Sequence, residues 1–349
     1  MQGWKRRAGR ASARRFAPLL VLCAVAACTS TGGPGDVPGE APPREPPPAS
    51  SLTPASFFDY KPLDPGSVHV QPEGLTVERS WVLDLYTLFH SRDYKAFRLV
   101  LSDEAGEELI GHMLIPPGDG PHPCVVAFEI LDGPNDVSEG MAKALVNRGY
   151  AVARLERRAL DLAHQTNGDV VRERLRDGVI DARRLLDWLV THPRIDTAHL
   201  FAAGVSIGSI QALLLTECDP RIRGGFYLMT GGDVAKILYD SSETPVRIFR
   251  DHIMAQQGWT TRQEWLAGVR PKTAAVDPLT YAASLDPSRL MMASGRFDTV
   301  IPSERAQELW EALGKPRWYK LPCGHYTVFP FFWWAVARGA DHLDSLVRN

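Results

Sequence analysis

Residues 204–208 read G-V-S-I-G, which places Ser206 between two glycines, each two positions away. A serine hydroxyl is a weak nucleophile alone and gains strength from a base that a third group orients. Glycines at both flanking positions permit a sharp turn where side chains would collide with a neighbouring strand and helix. In a chain with 29 glycines the spacing also arises by chance, so context decides its meaning. The context is present. The strand-like run H-L-F-A-A precedes Gly204, and a long apolar segment at 207–216 predicts a helix after the turn. Downstream, S-G-R-F-D-T-V-I-P at 294–302 puts Asp298 just past a predicted strand, and L-P-C-G-H-Y-T at 321–327 does the same for His325.

The elements that must hold these residues alternate regularly. Two strands are expected at 94–101 and 109–115, with D-E-A-G-E as the hairpin turn. A continuous apolar run at 124–131, interrupted only by Glu129, reads as a strand buried on both faces. Helix 137–147, strand 150–155, helix 171–190 and strand 198–203 lead into the serine turn. Strands at 225–229, 290–294 and 318–321 and helices at 304–313 and 328–347 complete the pattern. Such alternation implies an α/β fold with a mostly parallel central sheet and helices on both faces. The stretch 234–270 breaks the rhythm and predicts a small helical insertion or lid. Its aromatics, with Trp259 and Trp265 among them, suit either the insertion's own core or a substrate pocket.

Three motifs in the order Ser206, Asp298, His325, each on a loop after a strand, make residues 92–347 resemble the α/β-hydrolase superfamily. The leading hairpin and short lid look most similar to the dienelactone-hydrolase and prolyl-oligopeptidase-like branch. The resemblance implies Ser206 as nucleophile, His325 as general base and then acid, and Asp298 as the group that orients His325. Asp233, in T-G-G-D, also follows a strand and is the alternative acid. A carboxylic-ester hydrolase working through an acyl-enzyme is the expected function, with a small-molecule ester as substrate. A serine peptidase of the prolyl-oligopeptidase-like type is one alternative, although residues 50–90 are too few for the propeller that branch usually adds. A catalytically impaired envelope binding lipoprotein is the other.

The loop facing the serine departs from the resemblance. One oxyanion donor is expected from the backbone N–H of Ile207. The second usually comes from the loop after the strand, where relatives often carry a His-Gly pair; here Glu129 and Ile130 take those positions. Leu131 is then the expected donor, with Ile130 as the alternative. Glu129, with Asp132 close by, brings negative charge toward a developing oxyanion unless it is paired. Arg154, Arg157 and Arg158 are candidates to neutralise it, and a selector for cationic or polyhydroxy substrates is the other role open to it.

The first 27 residues carry Lys5, Arg6, Arg7, Arg10, Arg14 and Arg15, hold no acid, and include a twelve-residue apolar run at 16–27, too short to span a bilayer. They close with V-A-A-C, which resembles the lipobox of bacterial lipoproteins and implies lipidation of Cys28. Residues 1–27 thus read as a signal peptide, 28–56 as a Pro-rich tether and 57–349 as the hydrolase domain. A lipid-anchored envelope protein is expected, with Thr29 leaning toward the outer membrane. The formal net charge of −2 gives no sign of a nucleic-acid surface. Cys124, Cys218 and Cys323 form no C-x-x-C pair and read as small buried hydrophobes. Ten scattered histidines and the lack of a phosphate-binding glycine loop imply no metal and no cofactor.

Overall fold

The computed structural model describes residues 54–72, 93–130, 136–158 and 160–348. These fall within one compact unit, Ala49–Asn349; the preceding unit, Met1–Pro48, lies outside the described residues, and with it the leader, Cys28 and most of the tether.

Among the described residues nine strands form one sheet: β1 (His69–Pro72), β2 (Lys95–Ser102), β3 (Glu108–Ile115), β4 (His122–Phe128), β5 (Ala151–Leu155), β6 (Ile195–Val205), β7 (Ile222–Leu228), β8 (Leu290–Gly295) and β9 (Arg317–Leu321). Their spatial order is β1-β2-β3-β5-β4-β6-β7-β8-β9. The pairings from β1 to β5 are antiparallel and those from β5 through β9 parallel. Strand β5 lies to one side of β4 and β6 to the other. That reversal opens a crevice at the carboxyl ends of β4 and β6, the place where open α/β sheets bind ligands.

Burial on both faces explains the near-continuous apolar strands. In β6, Leu200 and Ala202 join one core while Phe201 and Ala203 join the other, following the two-residue alternation of a strand. The long helices α3 (Val170–Leu189), α4 (Ile207–Cys218) and α8 (Ser303–Ala312) cover the first face; α2 (Asp136–Val146) and α9 (Phe329–Val347) cover the second, following a short turn α1 (Pro54–Phe57) at the start of the domain. Helix α3 buries Val171, Leu175, Val179, Ala182 and Leu186, the stripe its sequence spacing predicts.

Three α-helices lie between β7 and β8, followed by short 3-10 turns: α5 (Val234–Asp240), α6 (Thr244–Gln257) and α7 (Arg262–Thr273). Helix α7 starts with a reciprocal capping box between Thr261 and Glu264. Trp265, on α7, is fully buried, edge-on to Trp259 at 6.2 Å, and its indole N–H donates to Ala235 O at 2.9 Å. The structure therefore places Trp265 in the insertion's own core rather than on an open pocket wall. Burying a side chain of this size is worth roughly 3 kcal/mol. Trp259 is only partly buried, but its ring fills the space beside Gly268, where an added Cβ would meet it at 2.1 Å.

Candidate active site

Ser206 stands at the junction of β6 and α4 with φ 58° and ψ −129°. A non-glycine residue holds such a conformation only where its surroundings impose it, and such strain collects at functional sites. Here the cause is visible. A Cβ on Gly204 would lie 2.3 Å from Gly208 O, and one on Gly208 would lie 2.4 Å from Glu129 O. Strand and helix can therefore meet at this angle only through two residues without side chains. The turn is pinned by Ser206 N donating to Leu228 O at 2.9 Å and Ser209 N to Ser206 O at 2.9 Å. At the first position of α4, Ile207 has an N–H with no helical carbonyl to receive it, and it sits at the positive end of the helix dipole.

The three residues predicted from spacing are brought together. His325 Nε2 lies 3.0 Å from Ser206 Oγ, and His325 Nδ1 lies 2.7 Å from Asp298 Oδ2. Asp298 is 5% exposed, and its Oδ1 accepts the N–H groups of Val300 at 2.9 Å and Ile301 at 3.0 Å. The carboxylate thus has one oxygen fixed by backbone and the other aimed at the imidazole. The chain of contacts can take a proton from the Ser206 hydroxyl and stabilise the imidazolium that forms. Asp233 does not join it. It caps α5 through Lys236 N and forms ion pairs with Lys236 and Arg270, at 3.1 and 2.8 Å.

Across the crevice, β4 ends at Phe128, earlier than the apolar run suggested, so Glu129 and Ile130 lie beyond the strand. Phe128 pairs in register with Gly204, which sets Glu129 directly beside the serine turn. The Glu129 side chain is 5% exposed; Arg154 Nη1 donates to its Oε1 at 2.5 Å, and the Ser138 hydroxyl donates to its Oε2. Of the three arginines considered from sequence, Arg154 neutralises the carboxylate. Arg158 instead binds Asp103, Glu107 and Asp181, while Arg157 reaches Glu129 O at 3.5 Å. Both Glu129 oxygens are therefore engaged inside the fold. Of the two candidates for the second oxyanion donor, Ile130 is partly buried beside the core; Leu131, like Asp132, lies outside the described residues.

Cys124, Cys218 and Cys323 are free and buried, and burial pushes the Cys124 and Cys218 thiols up to about 12. Among the described residues no group of three His, Cys, Asp or Glu side chains is placed to hold a metal ion, and no helix is long and apolar enough to cross a membrane.

This sheet, its switch point and the serine turn define the α/β-hydrolase fold, and the chain has that fold. It is similar to the acetyl xylan esterase from Paenibacillus sp. R4, at TM-score 0.60 and 16% identity, over 82% of this chain and 91% of that one. Acetyl xylan esterase 1 from Thermoanaerobacterium sp. JW/SL YS485 is similar at TM-score 0.55 and 15% identity, over 80% and 92%. The Pyrococcus horikoshii acylaminoacyl peptidase matches at TM-score 0.54 and 14% identity, over 78% of this chain but only 44% of that protein. No family model matches the sequence, and no curated protein does.

Proposed function

We propose that the chain is a serine hydrolase that cleaves carboxylic esters through an acyl-enzyme on Ser206. The observation that carries this reading is the continuous contact Ser206 Oγ–His325 Nε2 and His325 Nδ1–Asp298 Oδ2 at a strained serine turn. In this mechanism Ser206 Oγ bonds to the ester carbonyl carbon as its proton passes to His325 Nε2. The oxyanion that forms takes the Ile207 N–H and a second donor from the 130–131 loop. His325 then returns the proton to the leaving alkoxide as the C–O bond breaks. Water repeats the sequence on the acyl-enzyme, releasing the acid and restoring the serine hydroxyl.

Esters fit better than amides, because amide cleavage demands stronger oxyanion stabilisation and protonation of the leaving group, and the loop here has Glu129 and Ile130 where relatives often carry a His-Gly pair. Labelling with a fluorophosphonate tests the reading: Ser206 should react, Ser206→Ala should not, and an inert wild-type chain would defeat it. Faster turnover of short-chain aryl esters than of aryl amides is expected; the reverse preference would favour a peptidase.

The leader supports a lipid-anchored place in the cell envelope, with the outer membrane favoured. Radiolabelled palmitate should enter the full-length chain and be lost in Cys28→Ala; equal labelling of both would overturn the anchor.

A further inference from the structure

Two consecutive residues of the insertion touch the two residues that directly follow the acid and the histidine. Ser242 N donates to Thr299 O at 2.8 Å, and the Ser242 and Thr299 hydroxyls meet at 2.7 Å. The Tyr326 hydroxyl donates to Glu243 Oε2. Thr299 follows Asp298, and Tyr326 follows His325 with its ring edge-on to the imidazole at 5.5 Å.

The grip is stiff on the insertion side. Ser241 is 3% exposed and its hydroxyl accepts Glu243 N at 3.2 Å, while Pro245 fixes the first turn of α6. Helix α6 is itself anchored through buried Val246, Phe249 and Ile253. The position of the helix is thereby conveyed to both loops at once.

We infer that Ser242 and Glu243 are positioning residues that clasp the insertion onto the Asp298 and His325 loops and so keep the imidazole aligned between Ser206 and Asp298. This rests on the hydrolase reading above. Both contacts are near solvent, where a single hydrogen bond is weak, so each deletion has a modest effect.

The test is a double-mutant cycle on aryl-ester turnover with Tyr326→Phe and Glu243→Ala. Each single variant should lower kcat about fivefold with KM within about twofold, and the double variant should fall no further. Glu243→Gln, which still accepts from the phenol, should restore turnover to within about twofold of wild type. Additive losses, a Gln variant as slow as Ala, a loss confined to KM, or a kcat loss matched by a lowered melting temperature would overturn the clasp. Fluorophosphonate labelling separates the two failures. An inert wild-type chain defeats the hydrolase reading and the clasp with it; a wild type that labels, with variants turning over at its rate, defeats the clasp alone.

Discussion

Asp298 divides its carboxylate between His325 and the backbone: Oδ2 lies 2.7 Å from His325 Nδ1, while Oδ1 receives the Val300 and Ile301 amides. This division fixes the outcome of Asp298→Asn. The two amides require an acceptor at Oδ1, so the new NH2 must face His325. Nδ1 then becomes an acceptor, Nε2 carries the proton, and the imidazole can no longer take one from Ser206. A fall in kcat of about 10⁴ is expected, with KM and melting temperature near wild type. A loss below tenfold would mean that Asp298 does not set the tautomer.

The Glu129–Arg154 pair is buried on both sides, with side chains 5% and 9% exposed. Removing one partner leaves an uncompensated charge inside the protein. Arg154→Met should therefore cost about 3 to 5 kcal/mol in urea unfolding, and it should also slow acyl transfer by exposing the oxyanion loop to a free carboxylate. The double variant Glu129→Gln/Arg154→Met removes both charges and should recover more than half of that stability. If the double variant is no more stable than Arg154→Met, the pair is not an isolated ionic unit.

The legible parts of this protein are those governed by local sterics and by period. Gly204 and Gly208 could be read because only residues without side chains permit the turn, and the strand-flanked Asp298 and His325 because the sheet edge demands their order. Strand β1 was missed: its four residues are all exposed at the sheet edge, so no alternation marks it. The premature end of β4 was hidden because Ile130 continues the apolar run while the chain leaves the sheet. Which arginine meets Glu129, and that Glu243 meets Tyr326, are long-range pairings with no local signal. Trp265 was open between core and pocket because aromatic composition is the same for both.

Asp277 ties together the two ends of the insertion. Its Oδ1 accepts Asp233 N and Leu279 N, each at 3.0 Å, and its Oδ2 accepts Val234 N at 2.7 Å. Burial raises its pKa to about 6 from 3.8, with the nearby Asp233 charge adding to it. The folded state thus holds this proton more tightly than the unfolded chain. The resulting stability is fully present below about pH 4 and is lost as pH rises through about 6. The contribution is on the order of 3 kcal/mol. Asp277→Asn, though weakened by an NH2 facing Val234 N–H, should lack that part of the slope. Urea midpoints between pH 4 and 7 measure it, and parallel profiles for the two proteins would refute the assignment.

Glu217, near the end of α4, has both carboxyl oxygens buried with no hydrogen-bond partner among the described residues. Its partial exposure therefore comes from the backbone and stem. Burial, and then the neighbouring Asp277 charge, push its pKa well above its usual value. A buried polar group without a partner costs about 1 to 3 kcal/mol. Methionine keeps the length and the helix propensity while replacing the carboxyl with apolar volume. Glu217→Met should raise stability by about 1 kcal/mol, or about 2 to 4 °C in melting temperature for a domain of this size. Because α4 presents Ser206 from its opposite end, aryl-ester turnover should stay at the wild-type rate. A lowered melting temperature would show that the carboxyl makes a contact that stabilises the fold.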